Sequence, residues 1–121
     1  MRALPKGKED CLQVSCVTWF SLQYPDHARL LHHSPNGGSR NAIEAAKLKQ
    51  MGVRPGFPDL FLAVPSSGYH GLFVELKVGR GVQSAFQKEM EILLKEQGYQ
   101  YTVVRSIEKF IEVIQNYLRD E

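Results

Sequence analysis

The chain has 121 residues, 43% of them hydrophobic, and a formal net charge of +2. That length fits one compact domain spanning residues 1–121, with little chain left for a second core. A charge this near neutrality excludes a globally cationic coat, so a nucleic-acid partner must be held by local basic patches.

Residues 8–22 carry Leu12, Cys16, Trp19 and Phe20 at helical spacing, and the proline of "YPDH" ends the run, which predicts a first helix. On that helix Cys11 and Cys16 point in different directions, so they offer no disulfide framework, and buried thiols are expected for both. "ARLLHH" reads as a strand that enters the turn formers "SPNGG". Asn41 with Glu44 has capping-box form, and Gly52 suits the stop of a second helix over "AIEAAKLKQM".

"DLFLAV" and "GLFVELK" predict two strands joined by the hairpin-length loop "PSSGYH", the first apolar on both faces and therefore central in its sheet. Ser84 with Gln87 opens a third helix whose apolar stripe is Phe86, Met90, Leu93 and Leu94, closed by Gly98. "YQYTVV" is a last strand, and Ile107, Phe110, Ile111, Ile114 and Leu118 mark a last helix, with Trp19, Phe20 and Phe110 assigned to the core. The order α-β-α-β-β-α-β-α gives an α/β sandwich on a mixed sheet. No apolar run reaches the roughly 18 residues of a membrane span, and the start lacks a signal-peptide core. A soluble, intracellular protein is expected.

Two acids interrupt the apolar strands. Alternation puts Phe73, Glu75 and Lys77 on one face, and pairing Ala63 with Gly71 across the hairpin sets Asp59 opposite Glu75. Carboxylates that close, about 5 Å between Cβ atoms, repel unless a raised pKa or a bound cation compensates. A divalent ion there would suit phosphodiester hydrolysis, with the Lys77 ammonium stabilising developing charge or positioning water. Glu-x-Lys alone carries no such weight, because an exposed ion pair worth about 0–1 kcal/mol and a turn residue after Pro58 explain the same letters. Glu9 extends the apolar stripe of the first helix, either as a site acid or as a first-turn complement to the helix dipole, and Asp10 adjoins it. Gln87 is either a cap or a polar group at the helix mouth.

With these residues in place, "PNGG" and Arg40, "AAKLKQMGVRPGFPDLFL", "GYHGLFVELK", "GRGVQSAFQ" and "EQGYQYTVVRS" resemble the VRR-NUC (virus-type replication-repair nuclease) family, a branch of the PD-(D/E)xK nucleases. The resemblance covers nearly the whole chain after residue 8 and implies a restriction-endonuclease-like sandwich. It further implies a Mg²⁺- or Mn²⁺-dependent endonuclease acting on branched DNA such as Holliday junctions. Asp59, Glu75 and the backbone carbonyl of Leu76 are then metal ligands, Lys77 the catalytic lysine, Glu9 the helix acid and Gln87 the helix-borne polar residue. Where members often read "LSPEQ" this chain has "VQSAFQ", which keeps Gln87. Small stand-alone members imply a homodimer, of phage or bacterial-cytoplasmic origin. A non-catalytic module that binds branched nucleic acid is the alternative.

Other positions fit a nucleic-acid partner more loosely. The Asn36 segment offers backbone N–H groups to a phosphate or forms a plain turn. Arg40, Arg54 and Arg80 are candidate DNA contacts, the last two alongside Lys47, Lys49 and Arg105, all equally suited to a solvated surface. His32 and His33, adjacent on a strand, face opposite ways and cannot chelate one ion.

Overall fold

A computed structural model describes residues 7–35 and 41–119. Asn36 and Arg40, two of the candidate DNA contacts, lie outside the described residues. Helix α1 runs Lys8–Gln23, strand β1 Leu31–His33, helix α2 Ala42–Gln50, strands β2 Leu60–Leu62 and β3 Leu72–Leu76, helix α3 Ala85–Glu96, strand β4 Gln100–Val104 and helix α4 Ile107–Leu118. The expected order of helices and strands holds. The first strand is shorter than "ARLLHH": Ala28–Leu30 form a 3₁₀ turn. Pro25 fixes the chain after α1, and the His27, Ala28 and Leu30 N–H groups bond three residues back to Tyr24, Pro25 and His27, which winds the segment before it can extend.

The four strands form one sheet in the order β1-β2-β3-β4. β1, β2 and β3 are antiparallel neighbours, while β4 joins β3 in parallel after the crossover through α3. β2 is internal, as its two apolar faces require. Leu60 pairs with Val74 and Leu62 with Leu72, the register expected from the hairpin. The joining turn is closed one residue out of that register: Ser66 and Tyr69 exchange backbone bonds of 3.2 and 2.8 Å around Ser67 and Gly68, whose φ angles of 53° and 84° make the left-handed pair of a type I′ turn, and the β2 side carries one extra residue between turn and ladder. Ser67 Oγ donates to the Tyr117 carbonyl at 2.8 Å, tying the turn to α4.

Leu60, Leu62, Leu72, Val74 and Leu76 cluster with Cys16 and Phe20 of α1 and with Phe110, Ile114 and Tyr117 of α4. Trp19 is half-buried against this core, edge-on to Phe110 at 6.0 Å. The buried Tyr117 hydroxyl donates to the Val64 carbonyl at 2.6 Å. Tyr117→Phe strands that acceptor and is expected to cost about 1–3 kcal/mol, read from urea denaturation.

One expectation about burial fails. Only Cys16 is buried, its thiol pushed up to about 12 by desolvation, while Cys11 is exposed on the other side of α1. The apolar stripe of α3 is largely open to solvent: Phe86 is 58% and Leu93 54% exposed, with Met90 and Leu94 half-buried. On the sheet face opposite that core, Phe61 and Phe73 stack at 4.3 Å, with Tyr99 and Phe57 edge-on.

Candidate active site

The register explains how one end of the β2–β3 pair becomes a polar site. The Lys77 N–H donates to Val104 in β4 at 3.0 Å, so by alternation the Leu76 N–H and C=O point toward β2. Extending the pairing sets Pro58 opposite Leu76. Proline has no N–H for the Leu76 carbonyl, so the ladder cannot close there. Asp59 takes the other half of the broken pair: its Oδ2 accepts the Leu76 N–H at 2.6 Å. The Pro-Asp dipeptide thus leaves a backbone carbonyl beside a fixed carboxylate.

Glu75 is fully buried near the C-terminal end of β3. The Tyr101 hydroxyl on β4 donates to Glu75 Oε1, whereas Oε2 is buried without a hydrogen-bond partner among the described residues. Burial is the largest influence on this carboxyl and raises its pKa, reinforced by the Asp59 charge and opposed by Tyr101, Lys77 and Gln83. Asp59 is also raised, mainly by desolvation, with the Leu76 N–H, His33 and Lys77 pulling the other way. Glu9 on α1 follows suit: burial first, then Asp59, raise it, and Lys77 lowers it.

Lys77 is half-buried, with its stem along Gly81. Its charge acts on Glu9, Asp59 and Glu75 alike, so the four side chains share one electrostatic neighbourhood. Of the two acids at the start of α1, Glu9 is the half-buried one and Asp10 is exposed.

Gln87 is engaged elsewhere. Its Oε1 accepts the Ser84 N–H at 2.8 Å while Ser84 Oγ accepts the Gln87 N–H at 3.2 Å, a complete capping box. The glutamine that does act on Glu75 is Gln83, which sequence reasoning missed along with Tyr101. Gln83 Nε2 donates to Glu91 on α3 at 2.9 Å. His33 Nδ1 donates to the Asp59 carbonyl at 2.9 Å, which also accepts the Ser34 N–H at 2.9 Å, so β1 braces the Asp59 backbone. Arg80 is exposed in the turn after β3. Arg54, also exposed, lines a cavity of about 290 Å³ with His32, Ser34 and Phe57.

Among the described residues, no three His, Cys, Asp or Glu side chains group closely enough to hold a metal ion by themselves. Asp59, Glu75 and the Leu76 carbonyl nevertheless form an all-oxygen donor set of the type that hard divalent cations take with water completing the shell. The unpartnered Glu75 Oε2 and the raised carboxyls mark negative charge that a cation would compensate. The residues present therefore fit such an ion.

The family model described as "VRR-NUC domain" matches residues 4–108 of this chain. A solved structure described as a "VRR_NUC domain protein" is 35% identical, with a TM-score of 0.81, over 96% of this chain and 92% of that one. Among curated proteins no sequence matches. The mixed four-stranded sheet flanked by helices is consistent with the restriction-endonuclease-like fold of these domains. By the extent of the family match and the shared structure, this chain belongs to the VRR-NUC family of nuclease-type domains.

Proposed function

We propose that the protein is a divalent-metal-dependent DNA endonuclease that hydrolyses phosphodiester bonds, with branched DNA such as a four-way junction as its substrate and a homodimer as its working form. The observation that carries this reading is the buried Glu75 with an open carboxylate oxygen, beside Asp59, Lys77 and Glu9. A module that only bound DNA would gain nothing from converging carboxylates against a polyanion.

Asp59, Glu75 and the Leu76 carbonyl would hold the Mg²⁺ or Mn²⁺ that domains of this kind commonly use. Bound there, such an ion supplies Lewis acidity toward a phosphoryl oxygen and lowers the pKa of water. Lys77 contributes a fixed ammonium that orients the attacking water and offsets charge as the P–O ester bond breaks. Glu9, whose pKa is raised by burial and then by the Asp59 charge, would accept or return a proton at the edge of this cluster. Gln87 contributes by fixing the first turn of α3. Arg54 and Arg80 are proposed to meet backbone phosphates, contacts that strengthen binding without reading sequence.

Incubating the purified protein with a labelled four-way junction, with Mn²⁺ and with EDTA, tests the reading. Cleavage only with Mn²⁺ is expected; binding without cleavage in any metal would favour a DNA-binding module. The described residues include no helix long and apolar enough to cross a membrane.

A further inference from the structure

Glu75 is held by a network that reaches beyond the proposed ligands. Tyr101 and Glu75 share a face because β4 runs parallel to β3, with Phe73 paired to Tyr101 and Glu75 to Val103. The buried tyrosine hydroxyl donates to Oε1, so that oxygen is occupied, and Oε2 is left as the open one. Behind this contact stands Gln83: one amide hydrogen goes to Glu91 Oε1 at 2.9 Å, and the amide also acts on both Tyr101 and Glu75. Glu91 is in turn clamped by Lys95 at 2.6 Å, one turn along α3. The loop before α3, the helix itself and β4 thereby hold the rotamer of one carboxylate.

We propose that Tyr101, braced by Gln83 and Glu91, is a positioning residue that commits one oxygen of Glu75 and so selects small octahedral cations, Mg²⁺ or Mn²⁺, over Ca²⁺. The inference rests on the metal-dependent reading above. Calcium takes six to eight oxygens and accommodates a carboxylate through one or both of its oxygens, whereas Mg²⁺ demands near-ideal octahedral geometry at shorter distance. A glutamate with one oxygen already accepting from a tyrosine is disfavoured as a two-oxygen chelator, because the hydrogen bond fixes the carboxylate plane and competes for that oxygen's electron density. Partners behind a ligand commonly govern metal affinity in this way.

The test is calorimetric titration of Mn²⁺ and of Ca²⁺ into DNA-free protein, for wild type, Tyr101→Phe and Gln83→Leu. Tyr101→Phe is expected to lower Mn²⁺ affinity by about 10- to 100-fold while Ca²⁺ affinity holds or rises. Gln83→Leu should move the ratio of the two affinities the same way by less. A merely structural role would weaken both cations together and leave their ratio alone. An unchanged ratio in Tyr101→Phe overturns the proposal, and if that variant does not fold, an unchanged ratio in Gln83→Leu does so. Wild-type protein that binds neither cation, or an Asp59→Asn variant with undiminished Mn²⁺ affinity, overturns the metal-dependent reading as well. Loss of Mn²⁺ binding in Asp59→Asn with a constant ratio in both other variants removes only the role of Tyr101.

Discussion

Lys77→Ala is expected to slow phosphodiester cleavage by about 10²- to 10⁴-fold, the range for loss of a positioned acid-base or charge-stabilising group. The fold and the affinity for a DNA junction should survive. Lys77 sits at the end of β3, half-buried, outside the cluster of Leu60, Leu72, Val74 and Phe110 that holds the sheet to α1 and α4. Truncating it empties no core volume. What it removes is the positive charge that Glu9, Asp59 and Glu75 all feel. Without it the three carboxyls retain protons more strongly, so the defect should ease at higher pH without disappearing. Single-turnover cleavage at saturating protein, with a gel-shift measurement and circular dichroism on the same samples, separates chemistry from binding and folding. Cleavage at the wild-type rate would take Lys77 out of the mechanism.

The parts of this site legible in the sequence are those that local rules determine. Pairing Ala63 with Gly71 gives the register the strands adopt, with Leu60 beside Val74, although the type I′ turn at Ser67 and Gly68 by itself would set them one residue out of step. Asp59 and Glu75 follow from that register. Caps were equally readable, since Asn41 accepts the Glu44 N–H at 2.7 Å and Ser84 forms its box with Gln87. Tyr101 and Gln83 were not readable, for a physical reason. A parallel pair is joined by a helix, and no turn length fixes which residue of β4 comes beside Glu75. The exposed α3 stripe shows the same limit from the other side: spacing defines an apolar face, but whether a face is covered depends on tertiary packing that spacing does not carry. Pro58 lies between these cases. Its identity was plain, but its effect on the Leu76 carbonyl needed the observed alternation of N–H directions along β3.

Glu75→Gln is expected to make the metal-free protein more stable near neutral pH, by on the order of 1 kcal/mol, while abolishing cleavage. Glutamine keeps the size of the side chain and an oxygen to accept the Tyr101 hydroxyl, but it removes a charge from a fully buried position. The sign follows from linkage. Burial raises the Glu75 pKa, so the folded state holds the proton more tightly than the unfolded chain does. Its contribution is fully present below the ordinary carboxylate range and is lost as pH rises from that range through the raised folded value. Asp59 and Glu9 shift in the same direction, only partly countered by Lys77. Urea denaturation of metal-free wild type should therefore show these three carboxyls lowering stability across that window, and the glutamine variant should show a shallower decline. Adding Mn²⁺ at about 100 times its Kd should return about 2.7 kcal/mol to the wild type and little to Glu75→Gln. Equal stabilisation of both proteins by Mn²⁺ would mean that Glu75 is not a ligand. The opposite changes in metal-free and metal-loaded stability distinguish a carboxylate kept for a cation from one that merely packs, because a packing role gives Mn²⁺ nothing to restore.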